Sequence, residues 1–204
     1  LSAVNCYRQL GADIDTSDEK RWVVEGNKGF ISVPAGEINV GNSGTTLRLA
    51  IGSASLNRGV GEVVLTGDGQ VRSRSVGPLL DCLCELGAEA VSVNGNGCAP
   101  VSVKGVYRGG KTRIKCVTSQ YLSSLLFAGP MGEVDTEIDV EMLNEPDYVQ
   151  ITLDWLDSQE IEYSSDGMKR FWVKGGQCYK GFESEVPGDF SSATFFLCGG
   201  ALLG

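Results

Sequence analysis

The chain repeats itself, and a repeat assembled from both helix-patterned and strand-patterned pieces leaves few folds open. Three segments share one plan: "LSAVNCYRQLGADIDTSDEKRWVVEG", "VGPLLDCLCELGAEAVSVNGNGCAPVSVKG" and "ITLDWLDSQEIEYSSDGMKRFWVKGG". Each opens with apolar residues at helical spacing, as in "LLDCLCELGA", where Gly87 stands at the position of a C-cap glycine. A short alternating strand follows, then a polar turn, then a second strand ending in Glu-Gly or Lys-Gly, which reads as a hairpin. A second kind of segment alternates with these: "GNSGTTLRLAIGSA", "VTSQYLSSLLFAGP" and "PGDFSSATFFLCGGALLG". Here small polar residues stand at the mouth of a helix that is apolar nearly all round, the pattern of a buried central helix. The first two are followed by strands, "EVVLTG" and "TEIDVEML". The unit is therefore strand, helix, strand, helix, strand, strand, repeating over roughly 70–80 residues. Two nearly whole units are expected, with the tail of one before them and the head of another after. The expected class is α+β, a pseudo-symmetric array of βαβαββ units with central buried helices.

Composition narrows the functions. A net charge of -9 disfavours nonspecific binding to nucleic acid or to an anionic membrane, although a local basic pocket remains compatible with it. No apolar run reaches membrane-spanning length. The chain contains no histidine, so histidine bases and histidine metal sites are excluded within it. Seven cysteines include no CxxC pair, and Cys6, Cys82, Cys84 and Cys198 sit in apolar runs. They read as reduced, mostly buried thiols of an intracellular protein. The 28 glycines are spread along the chain and mark turns and loop-to-helix junctions. The first residues already lie in a helical pattern without an initiator Met, and the last lie in another, so an internal piece of a longer polypeptide is expected.

The helix mouths carry the candidate chemistry. In "VGNSGTTLRLAIGSA", glycines 41 and 44 permit unusual backbone angles, and Ser43, Thr45 and Thr46 are capping types. Such a loop is either a plain capped helix start or an anion cradle of converging N–H groups. Pseudo-symmetry should bring Asn42, Gly44 and Thr45 near Thr118, Ser119 and Gln120, where hydroxyls and an amide beside free helix N–H groups suit a phosphate or carboxylate. Arg72 and Arg74 follow a strand in "LTGDGQVRSRSVGPLL" and are either solvated charges or bidentate anion ligands. Arg48 lies within an apolar helix, where an unpaired charge is costly, so it needs a partner or an anion. Tyr148 suits ring stacking, hydrogen bonding or core packing. Asp189, at the third mouth, is an N-cap or a site residue. The glycine-rich "VKGGQCYKG" precedes no helix and reads as a turn.

Taken in order, "GNSGTTLR", "LTGDGQVRSRSVGPLLDCLCELGA", "VTSQYLSSLLFAGP", "YVQITLDWL", "FWVKGGQCY" and "PGDFSSATFFL" resemble the 5-enolpyruvylshikimate-3-phosphate synthases, that is, the 3-phosphoshikimate 1-carboxyvinyltransferases. The resemblance spans essentially the whole chain. It implies the enolpyruvyl transferase-like fold, with two domains of three βαβαββ units each closing over the substrates. It implies transfer of the enolpyruvyl group of phosphoenolpyruvate to the 5-hydroxyl of shikimate 3-phosphate, through a tetrahedral intermediate, with release of phosphate. Glyphosate competes with phosphoenolpyruvate in this family. No metal or organic cofactor is implied, and the partners are the two small substrates, with no nucleic acid or membrane and a monomeric whole protein.

By motif, Asn42, Gly44, Arg48, Arg74 and Gln120 would border phosphoenolpyruvate. Thr118, Ser119, Gln120 and Tyr148 would hold shikimate 3-phosphate, with Gln120 reaching both. Asp189 would stand at the interdomain hinge facing the cleft as the one catalytic candidate, the principal acid and base groups lying in a second domain. Residues 1–187 would be most of the first domain and 188–204 the hinge and start of the second, so this chain alone should turn nothing over. The resemblance implies a cytoplasmic protein, or a plastid one in a plant or alga.

The sequence also departs from the family pattern. Thr118 replaces a usual Ser, Ser75 a common Pro, and Phe190 a small residue. Glu145 falls near a frequent Ser at the shikimate phosphate, so its carboxylate should turn away unless the alignment slips there. Two rival readings are the sister transferase acting on UDP-N-acetylglucosamine and a noncatalytic phosphate-binding module on the same repeat. Cys98 in a predicted hairpin and the Ser-Gln-Tyr run favour the shikimate enzyme.

Overall fold

The structure is a computed structural model and describes residues 1–58 and 61–203, apart from the side chain of Ser191. It opens with a helix α1 (Ser2–Gln9) and a hairpin of β1 (Asp13–Asp15) and β2 (Val23–Glu25). A first complete unit follows: β3 (Ile38–Asn39), α2 (Gly44–Ala54), β4 (Glu62–Thr66), α3 (Gly77–Glu85), β5 (Ala88–Ser92) and β6 (Val101–Gly105). The second is β7 (Gly110–Cys116), α4 (Ser119–Ala128), β8 (Thr136–Leu143), α5 (Pro146–Ser158), β9 (Tyr163–Asp166) and β10 (Arg170–Val173). The helix α6 (Phe190–Leu203) comes last, and Gly204, the end of its apolar run, lies outside the described residues.

The two units are topological copies. Each sheet runs in the order first, second, fourth, third strand: β3-β4-β6-β5 and β7-β8-β10-β9. In each the first pair is parallel and the other pairs are antiparallel. The expected βαβαββ repeat, with its leading tail, is thus present, while among the described residues the expected trailing head is α6 alone, with no strand before it. "VKGGQCYKG", expected as a turn, leaves β10 through a bend at Gly175 and Gly176 and continues as irregular chain.

Alternation along the strands sets the layers. In β7, Thr112, Ile114 and Cys116 are buried, while Lys111, Arg113 and Lys115 face outward. The outward residues meet the acids of β8 in a ladder: Lys111 with Glu137 at 2.9 Å, Arg113 with Glu141 at 3.5 Å and Lys115 with Glu141 at 3.4 Å. Arg170 on β10 adds a contact to Asp139. Such exposed pairs contribute little individually, ~0–1 kcal/mol each.

The inner faces carry the helices. α2 packs on β4 and β6, α3 bridges β5 and β7, and α4 packs on β7 and α5. Leu47, Ala50, Ile51 and Ala54 of α2 and Tyr121, Leu122, Leu125 and Leu126 of α4 are essentially inaccessible. At about 1.5–3 kcal/mol for each large apolar side chain, this paired-helix core is a principal source of stability. The two helices touch at Gly52, where a Cβ would lie only 2.8 Å from the Ser124 carbonyl oxygen. The Ser124 hydroxyl donates to the Arg48 carbonyl at 2.8 Å across the same seam.

Two expectations need correction. Cys6 and Cys82 are buried, but Cys84 and Cys198 are exposed. Cys84 lies on the outer side of α3, with its thiol directed to the Ala90 carbonyl at 3.3 Å. Cys198 belongs to α6, which has the composition of a central helix yet exposes Phe190, Phe195, Phe196, Leu197, Leu202 and Leu203. α2 and α4 are buried because each lies on a sheet of its own unit and on the other helix. Among the described residues, α6 has no such unit around it.

Candidate functional site at the mouths of two buried helices

The loop before α2 is built around Gly41, whose φ of 61° lies in the left-handed region. Ser43 then adopts an extended backbone and caps α2, its hydroxyl accepting the Thr46 N–H at 3.3 Å. Between them Asn42 donates its amide to Asp68 at 2.6 Å and to Gln70 at 2.9 Å. Asp68 also accepts the Val71 N–H at 2.9 Å and the Gln70 N–H at 3.0 Å. These bonds, the Val71 N–H first, hold its carboxyl below the usual range, with help from the Arg74 charge. The turn after β4 is thereby fastened to the mouth of α2.

Two guanidinium groups flank Gly44. A Cβ there would lie 3.1 Å from Arg48 Nη1 and 3.2 Å from Arg74 Nη1. Arg48 is buried at 9% exposure, stacks over the Tyr121 ring at 5.6 Å, and donates from Nη1 to the Gln120 side-chain oxygen at 2.7 Å. Its Nε is a buried donor with no hydrogen-bond partner among the described residues. Tyr121 is fixed in turn by donating to the Ser75 carbonyl at 2.5 Å, one residue beyond Arg74. Burial raises its phenol, and the Arg48 charge opposes that shift.

The mouth of α4 mirrors that of α2. Thr118 is the extended N-cap and accepts the Gln120 N–H at 3.5 Å. The Gln120 amide donates to Thr45 at 2.9 Å, so Gln120 ties α4 to both Thr45 and Arg48 of α2. The convergence expected from pseudo-symmetry is therefore real. Two helix N-termini, whose first-turn N–H groups lack intrahelical acceptors, open beside two guanidinium groups at one end of the molecule. This is a site suited to a small anion.

Glu145 does not turn away. It precedes α5 in the left-handed region, at φ 59° and ψ 54°. Its carboxylate accepts from the Ser119 hydroxyl at 3.2 Å and from the Thr118 hydroxyl at 3.4 Å. Tyr148, in the first turn of α5, is 51% exposed, which removes the core-packing alternative. Asp189 stands at the head of α6, where its carbonyl accepts the Ala193 N–H at 3.0 Å and its carboxylate accepts from the Ser192 hydroxyl. That is capping behaviour. Arg72 lies in the turn Val71–Ser73 and is exposed, with no contact to Gly44 of the kind Arg74 makes.

Asp68, Gln70 and Tyr121 support the site without any sequence signal of that role. Asp68 was visible only as a turn residue in "TGDGQ", and Tyr121 only as an apolar position of α4. Among the described residues no cluster of side chains suits a metal ion, and no helix is long and apolar enough to cross a membrane.

Comparison with known proteins shows what the chain is similar to. The family model described as EPSP synthase (3-phosphoshikimate 1-carboxyvinyltransferase) matches residues 1–204. The 3-phosphoshikimate 1-carboxyvinyltransferase of Acetivibrio thermocellus is 52% identical over 204 residues, covering 100% of this chain and 48% of the relative. That of Ruminiclostridium cellulolyticum is 48% identical over 202 residues, covering 99% and 47%. The chain thus spans about half the length of the curated relatives it matches. Among solved structures, the EPSP synthase from Acinetobacter baumannii superposes with a TM-score of 0.82 at 25% identity, over 97% of this chain and 44% of that one.

Proposed function

The chain belongs to the EPSP synthase family, and from that premise we propose that it supplies one wall of an active site that transfers the enolpyruvyl group of phosphoenolpyruvate to the 5-hydroxyl of shikimate 3-phosphate, with release of phosphate. The observation that carries the reading is the network at the paired mouths: Gly44 between Arg48 and Arg74, with Gln120 bonded to both Arg48 and Thr45.

On this reading phosphoenolpyruvate lies against Gly44 and Asn42, its charge met by Arg74 and Arg48. Gly44 leaves room for so small a substrate, and the orphan Nε of Arg48 is a donor ready for an anion. Thr118, Ser119 and Gln120 bind shikimate 3-phosphate at the start of α4, and Tyr148 covers its ring. Gln120 touches both substrates, which keeps the attacking hydroxyl and the enol carbon in register. Asp189 faces the cleft at a hinge, so that residues 1–187 belong to a first domain and 188–204 begin a second. No cofactor enters the chemistry. The working protein is a monomer in the cytoplasm, consistent with relatives from bacteria such as Acetivibrio and archaea such as Methanothrix.

The test is phosphate release by the protein expressed from the complete reading frame that carries this chain. Release should require phosphoenolpyruvate and shikimate 3-phosphate together. A folded protein that turns over only with UDP-N-acetylglucosamine as acceptor, or with no acceptor of this kind, would overturn the reading.

A further inference from the structure

One group at the paired mouths has the wrong charge for an anion site. The Glu145 carboxylate accepts from both the Thr118 and Ser119 hydroxyls through the same oxygen. Among the described residues no cation pairs with it. Its backbone is held by other means. Asn144 donates its N–H to the Cys116 carbonyl at 3.0 Å and its amide to the Val117 carbonyl at 3.2 Å. Pro146 follows directly, and the Tyr148 N–H closes the turn on the Glu145 carbonyl at 3.2 Å. The junction of β8 and α5 is thus fastened to the junction of β7 and α4 without the carboxylate. Its left-handed backbone, rare for a residue with a side chain, holds Glu145 over the mouth of α4. Thr118 and Ser119 consequently give their hydroxyl protons to an acceptor supplied by the chain itself.

We propose that Glu145 is an internal anion that occupies the phosphate cradle of α4 and sets the affinity and selectivity of the acceptor substrate. This rests on the reading of Thr118 and Ser119 as ligands of shikimate 3-phosphate. An incoming phosphate must displace the carboxylate from the two hydroxyls and then bind beside it, and like charges brought together in a partly desolvated site oppose each other. Glu145 therefore weakens binding of the phosphorylated acceptor and leaves the phosphoenolpyruvate subsite, which is built on Gly44, Arg48 and Arg74, unaffected. Shikimate without its phosphate does not compete with the carboxylate in the same way, so Glu145 lowers the preference for the phosphorylated over the plain sugar acid.

The experiment compares the wild-type protein from its complete reading frame with Glu145→Gln, Glu145→Ser and Ser119→Ala. Dissociation constants for shikimate 3-phosphate and shikimate are measured by calorimetry, and Michaelis constants for both substrates by phosphate release. Glu145→Gln keeps the shape and a hydrogen-bond acceptor but removes the charge. It should tighten shikimate 3-phosphate on the order of tenfold, leave shikimate unchanged, and leave the Michaelis constant for phosphoenolpyruvate unchanged. Glu145→Ser, which adds a hydroxyl, should do the same. Unchanged or weaker shikimate 3-phosphate binding in both Glu145 variants, with normal melting, overturns the proposal. Ser119→Ala separates the two levels. If it weakens shikimate 3-phosphate while the Glu145 variants tighten nothing, the cradle stands and the internal anion falls. If Ser119→Ala has no effect, the cradle reading itself fails and takes the proposal with it.

Discussion

Gly44 is a single position at which, on the proposed reading, a missing side chain makes room for the anion. The distances of 3.1 and 3.2 Å from a hypothetical Cβ to the two arginines mean that a methyl group would fill the gap between them. Guanidinium ends are flexible, so the fold should tolerate Gly44→Ala while the anion subsite does not. Crowding of this kind costs about 1–3 kcal/mol. The Michaelis constant for phosphoenolpyruvate should therefore rise roughly tenfold, with thermal melting and the constant for shikimate 3-phosphate little changed. A variant that melts normally and keeps its parental constant for phosphoenolpyruvate would show that the substrate does not occupy the gap between the two arginines, since Gly44 opens α2 and the turn rests on Gly41. Residue types at the mouths were legible in the sequence, because capping and left-handed turns demand particular residues. Partner choice was not. That Arg48 needed a partner followed from its apolar helix, but only the fold brings Gln120, 72 positions away, to its Nη1. The direction of Glu145 was likewise decided by the left-handed backbone before Pro146, a conformation its residue type does not announce.

At the scale of elements, the seam between α2 and α4 fixes the mouths relative to each other. Gly52 allows the contact, and Gly52→Ala would drive a Cβ against the Ser124 hydroxyl and carbonyl. Overpacking there should cost about 1–3 kcal/mol, in spite of the better helix propensity of Ala. For a domain of this size that corresponds to a fall in Tm of about 2–4 °C per kcal/mol. Because Arg48 and Gln120 sit on opposite sides of the seam, both substrate affinities should weaken together, unlike the selective effect at Gly44. An unchanged Tm in thermal melting would show that the helices are free to slide apart. Helices and hairpins were readable from period and turn chemistry. The difference between α6 and its two pseudo-equivalents was not, because all three share an apolar composition. Burial depends on what surrounds a helix, and among the described residues α2 and α4 pack on sheets and on each other while α6 does not.

For the whole molecule, the two faces of the sheets answer to opposite ends of the pH scale. Arg170 beside Asp139 on the outer ladder, then Lys111, holds that carboxyl below its ordinary range. A depressed folded value gives stability that is present above the unfolded value and lost as the pH falls through the folded one. On the inner face, burial pushes the Cys116 thiol from 9.0 up to about 12. A raised folded value gives stability that is complete below the unfolded value and lost as the pH rises toward the folded one. Urea unfolding should therefore give a plateau near neutrality with a limb on each side. Asp139→Asn should make the acid limb shallower and Cys116→Ala the alkaline one, while groups such as Asp68 and the buried Cys82 keep part of each limb in place. An acid limb that survives Asp139→Asn unaltered would assign it to other carboxylates. The repeat, its βαβαββ order and the two central helices were determined by the sequence alone, because hydrophobic period and glycine placement are local and act within a few residues. The convergence of the mouths was inferable from symmetry. The identity of each contact across them was left to the tertiary structure: Gln120 on Arg48 and Thr45, Asp68 under Asn42, and Glu145 over the hydroxyls of α4. The reason is physical. A side chain's partner is selected by which distant segment the packed core brings within hydrogen-bond reach, and that selection is made by the core as a whole rather than by any stretch of chain.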